Sequence, residues 1–288
     1  MAHGVNAREL YESLTEYEGE QPYQEIALPW LTRARTGNYP DRLARAAQTD
    51  HPWWTDSDGQ DLLRELYALS RVNDRFLDQP WRLPLFTALG MTPFDDAAVF
   101  DPFLHEITEV DQADDPQAPI RVTGLAWHGL MLGRLLFARA GVRVRAGADH
   151  AQRGVADRSP LFWTFHRPHR PTVDLSQGWG SNSQWRTDFR LDYRDGDGDR
   201  LNVAGDRPID GDPELHPDHP HNLSPEERLL TPAERRDLLR HRCLLRTPEA
   251  AAELAASAVW ERELMPFDWR LLSRTDARTP GGTPGRSC

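Results

Sequence analysis

The run HEITE places His105, Glu106 and Glu109 in one short segment, an imidazole beside two carboxylates. Imidazole titrates near neutral pH, and a neighbouring carboxylate orients it and favours its charged form, the pairing used for general acid and base catalysis. If the segment is helical, His105 and Glu109 stand four residues apart on one face, where they can share a proton or a metal ion. The order is neither the His-Glu-x-x-His of zinc proteases nor the Glu-x-x-His of di-iron sites, so it specifies no reaction. A solvated polar helix face is the simpler account of it. His105, Glu106 and Glu109 are therefore proton-transfer candidates whose role depends on what folds beside them.

A second grouping is QGWGSNSQ at 177–184, followed by Trp185 and Arg186. Its two glycines allow close approach of a ligand to the backbone, and Ser181, Asn182 and Gln184 supply donors and acceptors beside the aromatic faces of Trp179 and Trp185. The composition suits a polar organic ligand, although turn chemistry alone also produces such a stretch. Between positions 134 and 190 ten arginines stand against four aspartates in a chain whose net charge is -11. If that surplus surrounds the loop in space, the ligand is an anion such as a carboxylate or phosphate, which arginine grips with two parallel bonds.

The remaining histidines and aspartates carry less. His128, inside an apolar run between Trp127 and Gly129, is expected to be a buried imidazole hydrogen-bonded to a neighbour. HRPHR contributes His166 and His169, and HPDHPHN contributes His216, Asp218, His219 and His221, but Pro217 and Pro220 stiffen that backbone against wrapping an ion. No metal site is expected. The aspartates 195, 197 and 199 alternate as in a calcium loop, yet Arg200 and Asp206 occupy the places where an EF-hand needs glycine and a bidentate glutamate. DGDGD is read instead as a hairpin turn.

Composition narrows the classes further. The acidic balance is the wrong sign for a protein that neutralises phosphates along a nucleic acid, and it also argues against anionic membrane surfaces. All 34 basic residues are arginine, which excludes a lysine Schiff base and a P-loop lysine. Cys243 and Cys288 are the two cysteines, too few for a disulfide framework or a zinc knuckle, so a reduced, cytoplasmic setting is expected. The opening MAHGVNAREL lacks the pattern of a signal peptide, and the most apolar stretch, 122–142, is interrupted by His128, Arg134 and Arg139. No cofactor is specified.

The elements that must position these groups read as follows. Asn6 with Glu9 forms a capping box ahead of a helix over 7–18, a short helix follows Pro40, and Leu62, Leu66 and Leu69 stripe a longer helix. Prolines keep elements short from 80 to 102. The apolar run 124–139 is read as a buried helix, with Gly141 as its stop, Gly129 and Gly133 allowing close packing, and a strand on Val142 and Val144. Residues 185–193 alternate large apolar with charged side chains, a strand whose polar face pairs Arg186, Asp188, Arg190 and Asp192, and the alternation resumes at Leu201 and Val203 as a hairpin. Helices are expected after Ser224, from Thr231 and near 248–264, with a disordered tail over 273–288 after a single domain over 1–272.

The fold class is thus α+β: a helical N-terminal third and C-terminal helices packed on a small, mainly antiparallel sheet. The function that follows is a soluble binder of a polar or anionic small molecule, using general acid and base groups if it is an enzyme. The alternative is a non-catalytic inhibitor, immunity-type or regulatory factor, whose acidic surface meets a basic partner and whose tryptophans anchor the interface. For the C-terminal helix, Thr231 caps the main start and Ser224 only a short preceding turn. Thr231→Ala should cost about 1 kcal/mol in chemical denaturation and Ser224→Ala less, and the reverse order would move the helix start to Ser224.

Overall fold

The computed structural model describes residues 5–49, 52–95, 99–158, 161, 163–170, 189–205, 207–209, 231–241 and 269–272. The fold is α+β. Loop 177–184 with Trp185 and Arg186, the histidines at 216, 219 and 221, the turn at Ser224, the helix over 248–264 and the tail lie outside the described residues.

The N-terminal third is helical, as its caps dictate. In α1 (Ala7–Glu16) the Asn6 side chain accepts from the Glu9 backbone at 2.8 Å, satisfying a donor that the first helical turn leaves open. α2 (Leu28–Thr36), α3 (Tyr39–Ala44), α4 (Ser57–Arg75) and α5 (Arg82–Ala88) follow, with Asp56 capping α4 through the Gly59 amide at 2.7 Å. Leu62, Leu66 and Leu69 of α4 are buried with Leu10 and Leu14 of α1 in one core. In α6 (Pro232–His241) the capping box of Thr231 and Glu234 closes both ways, Thr231 N to Glu234 Oε2 at 2.7 Å and Glu234 N to Thr231 Oγ1 at 3.3 Å.

The middle of the chain corrects the expected buried helix. Residues 121–146 form β3 (Arg121–Trp127), β4 (Gly129–Leu132), β5 (Leu135–Ala138) and β6 (Ala140–Ala146). A continuous apolar run has no period that separates a buried helix from buried strands, and the glycines decide it. Gly133, at φ 57°, takes the first position of the two-residue turn joining β4 to β5, where Leu132 faces Leu135. Gly129 lies opposite Phe94, and a Cβ there would collide with the phenylalanine ring. Gly141, expected to stop a helix, lies inside β6.

One sheet was expected over 142–146, 185–193 and 201–204, and the structure divides these segments. The first sheet is antiparallel in the order β1 (Thr92–Phe94), β4, β5, β7 (Tyr193–Asp195), β8 (Gly198–Arg200), with the 195–199 aspartates at its last hairpin as read. A second sheet has β6 between β2 (His105–Gln112), to which it runs parallel, and β3, to which it runs antiparallel. A third pairs β9 (Arg207–Pro208) with β10 (Trp269–Arg270), and Leu201 makes only an isolated bridge to Leu271. Among the described residues no helix is long and apolar enough to cross a membrane.

The helical layer meets the first sheet in a shared core containing Trp30, Trp53, Leu130, Leu135 and Tyr193. Within it the Tyr193 hydroxyl donates to Ala46 O at 2.8 Å and accepts from Trp53 Nε1 at 3.1 Å, so one phenol ties two N-terminal segments to β7. Tyr193→Phe leaves a buried indole donor and a buried carbonyl unpaired. Chemical denaturation should show a loss of about 1–3 kcal/mol, and a change below 0.5 kcal/mol would mean that water replaces the hydroxyl.

Candidate functional site

The stripe that makes α4 amphipathic does not end with leucine. Beyond Leu66 and Leu69 the same face continues into Ser70, Asn73 and Asp74, all buried, so a helix built to pack on a core carries a carboxylate into it. A buried carboxylate requires partners. Asp74 Oδ1 meets Arg167 Nη1 at 2.8 Å, and Oδ2 accepts from the Phe165 backbone at 2.8 Å. Asn73 donates to Asp74 and accepts from Arg82 Nε at 2.8 Å, and Arg82 reaches on to His128 O at 3.1 Å.

On the other side of Arg167 stands Glu106 of β2. Arg167 Nε lies 3.0 Å from both carboxylate oxygens and Nη2 lies 2.9 Å from Oε2, a fork on a carboxylate that is 0% exposed. His169 Nε2, at 3.5 Å, and Arg170 Nε, at 3.4 Å, approach Glu106 Oε1, and Arg170 Nη2 donates to Ile107 O. Burial alone would raise the Glu106 pKa; the Arg167 guanidinium, with His169 and Arg170, outweighs it and holds the carboxyl well below its usual range.

A second centre adjoins the first. Asp192 is buried between Arg139 Nη2 at 2.8 Å and Arg190 Nε at 2.6 Å, and it accepts from the Asn202 backbone at 2.8 Å. The Asp192 pKa, which burial would raise, is held low by Arg190 and Arg139. Both guanidinium groups lie over Trp163, with Cζ 4.2 Å (Arg139) and 4.9 Å (Arg190) from the ring centroid. Burial draws Arg82 and Arg190 down to about 10, and both stay cationic at neutral pH. A lysine carried to the same depth starts from a lower pKa and would approach neutrality.

Between the two centres lies a largely enclosed cavity of about 30 Å³, with walls that include Asp74, Arg139, Trp163, Arg167, Arg190 and Asp192. Its volume admits roughly one or two water molecules. The surrounding buried network sets five guanidinium groups, of Arg82, Arg139, Arg167, Arg170 and Arg190, against the three carboxylates of Asp74, Glu106 and Asp192.

The proton-transfer candidates take different places. The segment that carries them is strand β2, not a helix, so His105 and Glu109 do not share a helical face, and His105 and Glu106 are fully buried rather than solvated. His105 Nδ1 accepts from the Asp101 backbone at 3.0 Å, which engages that ring nitrogen as an acceptor. Glu106 is held ionised near neutral pH as a counter-ion of Arg167, an arrangement suited to holding arginine and not to exchanging protons there. Glu109 is exposed on a broad groove that also includes Asp111, Arg153 and His169. His128, expected to be buried in a helix, follows β3 with its side chain 40% exposed and Nε2 4.0 Å from Asp95. Arg190 and Asp192 pair as the alternation expects, but the pair is sealed inside the protein, and of the expected strand the described residues 189–192 are not in strand geometry while Tyr193 begins β7.

Asp74, Arg82 and Trp163 were missed by sequence reasoning. The available signal was Asn73 and Asp74 continuing the buried stripe of α4, since polar groups on an apolar face are the informative exception. Comparison of the chain with protein-family models, with curated proteins and with solved structures gives no match.

The Glu106 and Asp192 pKa values are lower in the folded state than the ordinary 4.5 and 3.8, so their contribution to stability is complete above those values and is lost as pH falls below them. Unfolding free energy measured against pH should hold steady above about pH 5 and decline steadily below about pH 4.5. Glu106→Gln leaves Arg167 and Arg170 with an uncompensated buried charge, should cost about 3–5 kcal/mol at neutral pH, and should flatten the acid limb. An acid limb identical to that of the parent would show that Glu106 is not the group titrating there.

Proposed function

We propose that the protein binds a small anion, or the anionic end of a small organic molecule, in the cavity between Asp74 of α4 and the Arg139–Trp163–Arg190 stack. The observation that carries this reading is the buried Arg139 Nε, which among the described residues has no hydrogen-bond partner, on a side chain that lines an aromatic-walled space. A buried donor on a charged group is costly without an acceptor, and an anion beside Arg139 would supply one. Arg139, Arg167, Arg170 and Arg190 belong to the arginine-rich stretch that the sequence marks, and the fold supports the reading by gathering them at one site. The reading does not require catalysis.

The interface alternative finds less support. Trp30, Trp53, Trp81 and Trp269 are buried in the core, and the exposed large apolar side chains among the described residues are Leu28, Val99 and Leu272. Tryptophans committed to a core cannot anchor a partner.

The test is thermal unfolding at constant ionic strength, in the sodium salts of halide, planar and tetrahedral anions. An anion that binds only the folded state should raise the melting temperature saturably, adding about 2.7 kcal/mol at a hundred times its dissociation constant. The response should be lost in Arg139→Gln. Equal melting in every salt would overturn the proposal.

A further inference from the structure

Resting on that reading, we infer that the anion is a single atom, a halide of the chloride type held against Arg139 Nε. Size decides the class. A space of about 30 Å³ admits roughly one or two water molecules, whereas the smallest carboxylates, nitrate and every tetrahedral oxyanion carry several heavy atoms. Close-packed walls do not open that far without forcing side chains off their rotamers, so volume alone excludes the polyatomic anions. A halide is only slightly wider than a water molecule and fits.

Donor geometry is the second argument. The Arg139 side chain is 4% exposed, its Nη2 donates to Asp192 at 2.8 Å, and its Cζ stands 4.2 Å from the Trp163 ring centroid. Carboxylate and indole together restrain the guanidinium before a ligand arrives, so little ordering remains to be done on binding. Nε of the same group is buried without a hydrogen-bond partner among the described residues, on a side chain that lines the cavity. One donor on a permanent cation is therefore open.

The third argument separates a halide from a water molecule. Water beside Nε accepts one bond but must also find acceptors for its own two protons. The acceptors on the side chains of the wall are engaged: Asp74 by Arg167 Nη1 and the Phe165 backbone, Asn73 Oδ1 by Arg82 Nε, and Asp192 by Arg139, Arg190 and the Asn202 backbone. Phe137, Phe165 and Phe189 carry no polar side-chain atom, and the indole N–H of a residue such as Trp163 only donates. A halide accepts and never donates, so it satisfies Nε and leaves no proton of its own unpaired. Contact with the guanidinium offsets part of the cost of desolvating the ion.

The experiment follows thermal unfolding in sodium chloride, bromide, nitrate, acetate and sulfate at constant ionic strength, and locates bromide by anomalous scattering in crystals of the parent grown in sodium bromide. Chloride and bromide should raise the melting temperature saturably. Nitrate, acetate and sulfate should be at least about tenfold weaker, with effects linear in concentration, as for salts that act over the whole surface. The anomalous map should show one bromide in contact with Arg139 Nε. Arg139→Lys keeps the charge but has no N–H at the Nε position, and its halide response should fall about tenfold or more. The map tests the parent itself, independently of how the variant folds. Saturable binding of nitrate, acetate or sulfate as tight as that of chloride would overturn this inference and leave the anion-binding reading standing. No saturable response to any anion, with no bromide in the cavity, would overturn both. A halide response undiminished in Arg139→Lys, or bromide bound only elsewhere, would overturn the inference.

Discussion

Arg167 is the residue around which the interior is organised. Its guanidinium bridges Asp74 on α4 and Glu106 on β2, so a single cation joins the N-terminal helical layer to the parallel strand pair of the second sheet. All three side chains are almost completely buried, and each ion has surrendered several kcal/mol of hydration to be there. Attraction within a poorly screened interior offsets that cost only at close, forked geometry. The two elements consequently have one favourable relative position, and small displacements are penalised from both sides. Such a bridge specifies an arrangement more than it adds to the overall free energy of folding.

The absence of lysine gives this interior its character. Arginine alone supplies the cations, and a guanidinium can be forked onto carboxylates, stacked on indole rings and kept charged at depth in a way that an ammonium cannot. The Arg139–Trp163–Arg190 stack uses all three properties at Asp192. Arg71 of α4 is a further case, lying over Tyr67 and Phe165 with its Nη1 on the Tyr67 hydroxyl. Aromatic rings thereby take over part of the solvation that water would supply to these buried arginines.

Around this polar centre the apolar packing is divided. One core joins the helices to the first sheet, a second gathers Phe103, Leu136, Leu201, Ile209, Leu239 and Trp269, and a third lies on the second sheet around Ile107, Val110, Val142 and Val144. Strand β5 serves two of them, with Leu135 in the first and Leu136 in the second, because successive side chains of a strand point to opposite faces. The cavity lies beside this strand, against Leu136, Phe137, Ala138 and Arg139. Rigid packing on both sides is what allows so small a space to persist next to charged groups.

The sequence by itself determined what neighbours along the chain can encode. The Asn6 and Thr231 caps, the leucine stripe of α4 and the glycine and aspartate turn after β7 are all short-range patterns, and the described elements carry them as read. The tertiary structure decided the rest. Residues 124–139 are apolar enough to be buried in any geometry, so only pairing with β1, β6 and β7, together with the backbone at Gly133, selects strands over a helix. The sequence reached this site at Glu106, singled out there as a proton-transfer group, and in an arginine surplus that includes Arg139, Arg167, Arg170 and Arg190, but neither Asp74 nor the pairing of Glu106 with Arg167 was legible. Those partners stand far from Arg167 in the chain, 61 residues in the case of Glu106, and sequence neighbourhood holds no record of an ion pair that exists only once both charges have been taken out of water.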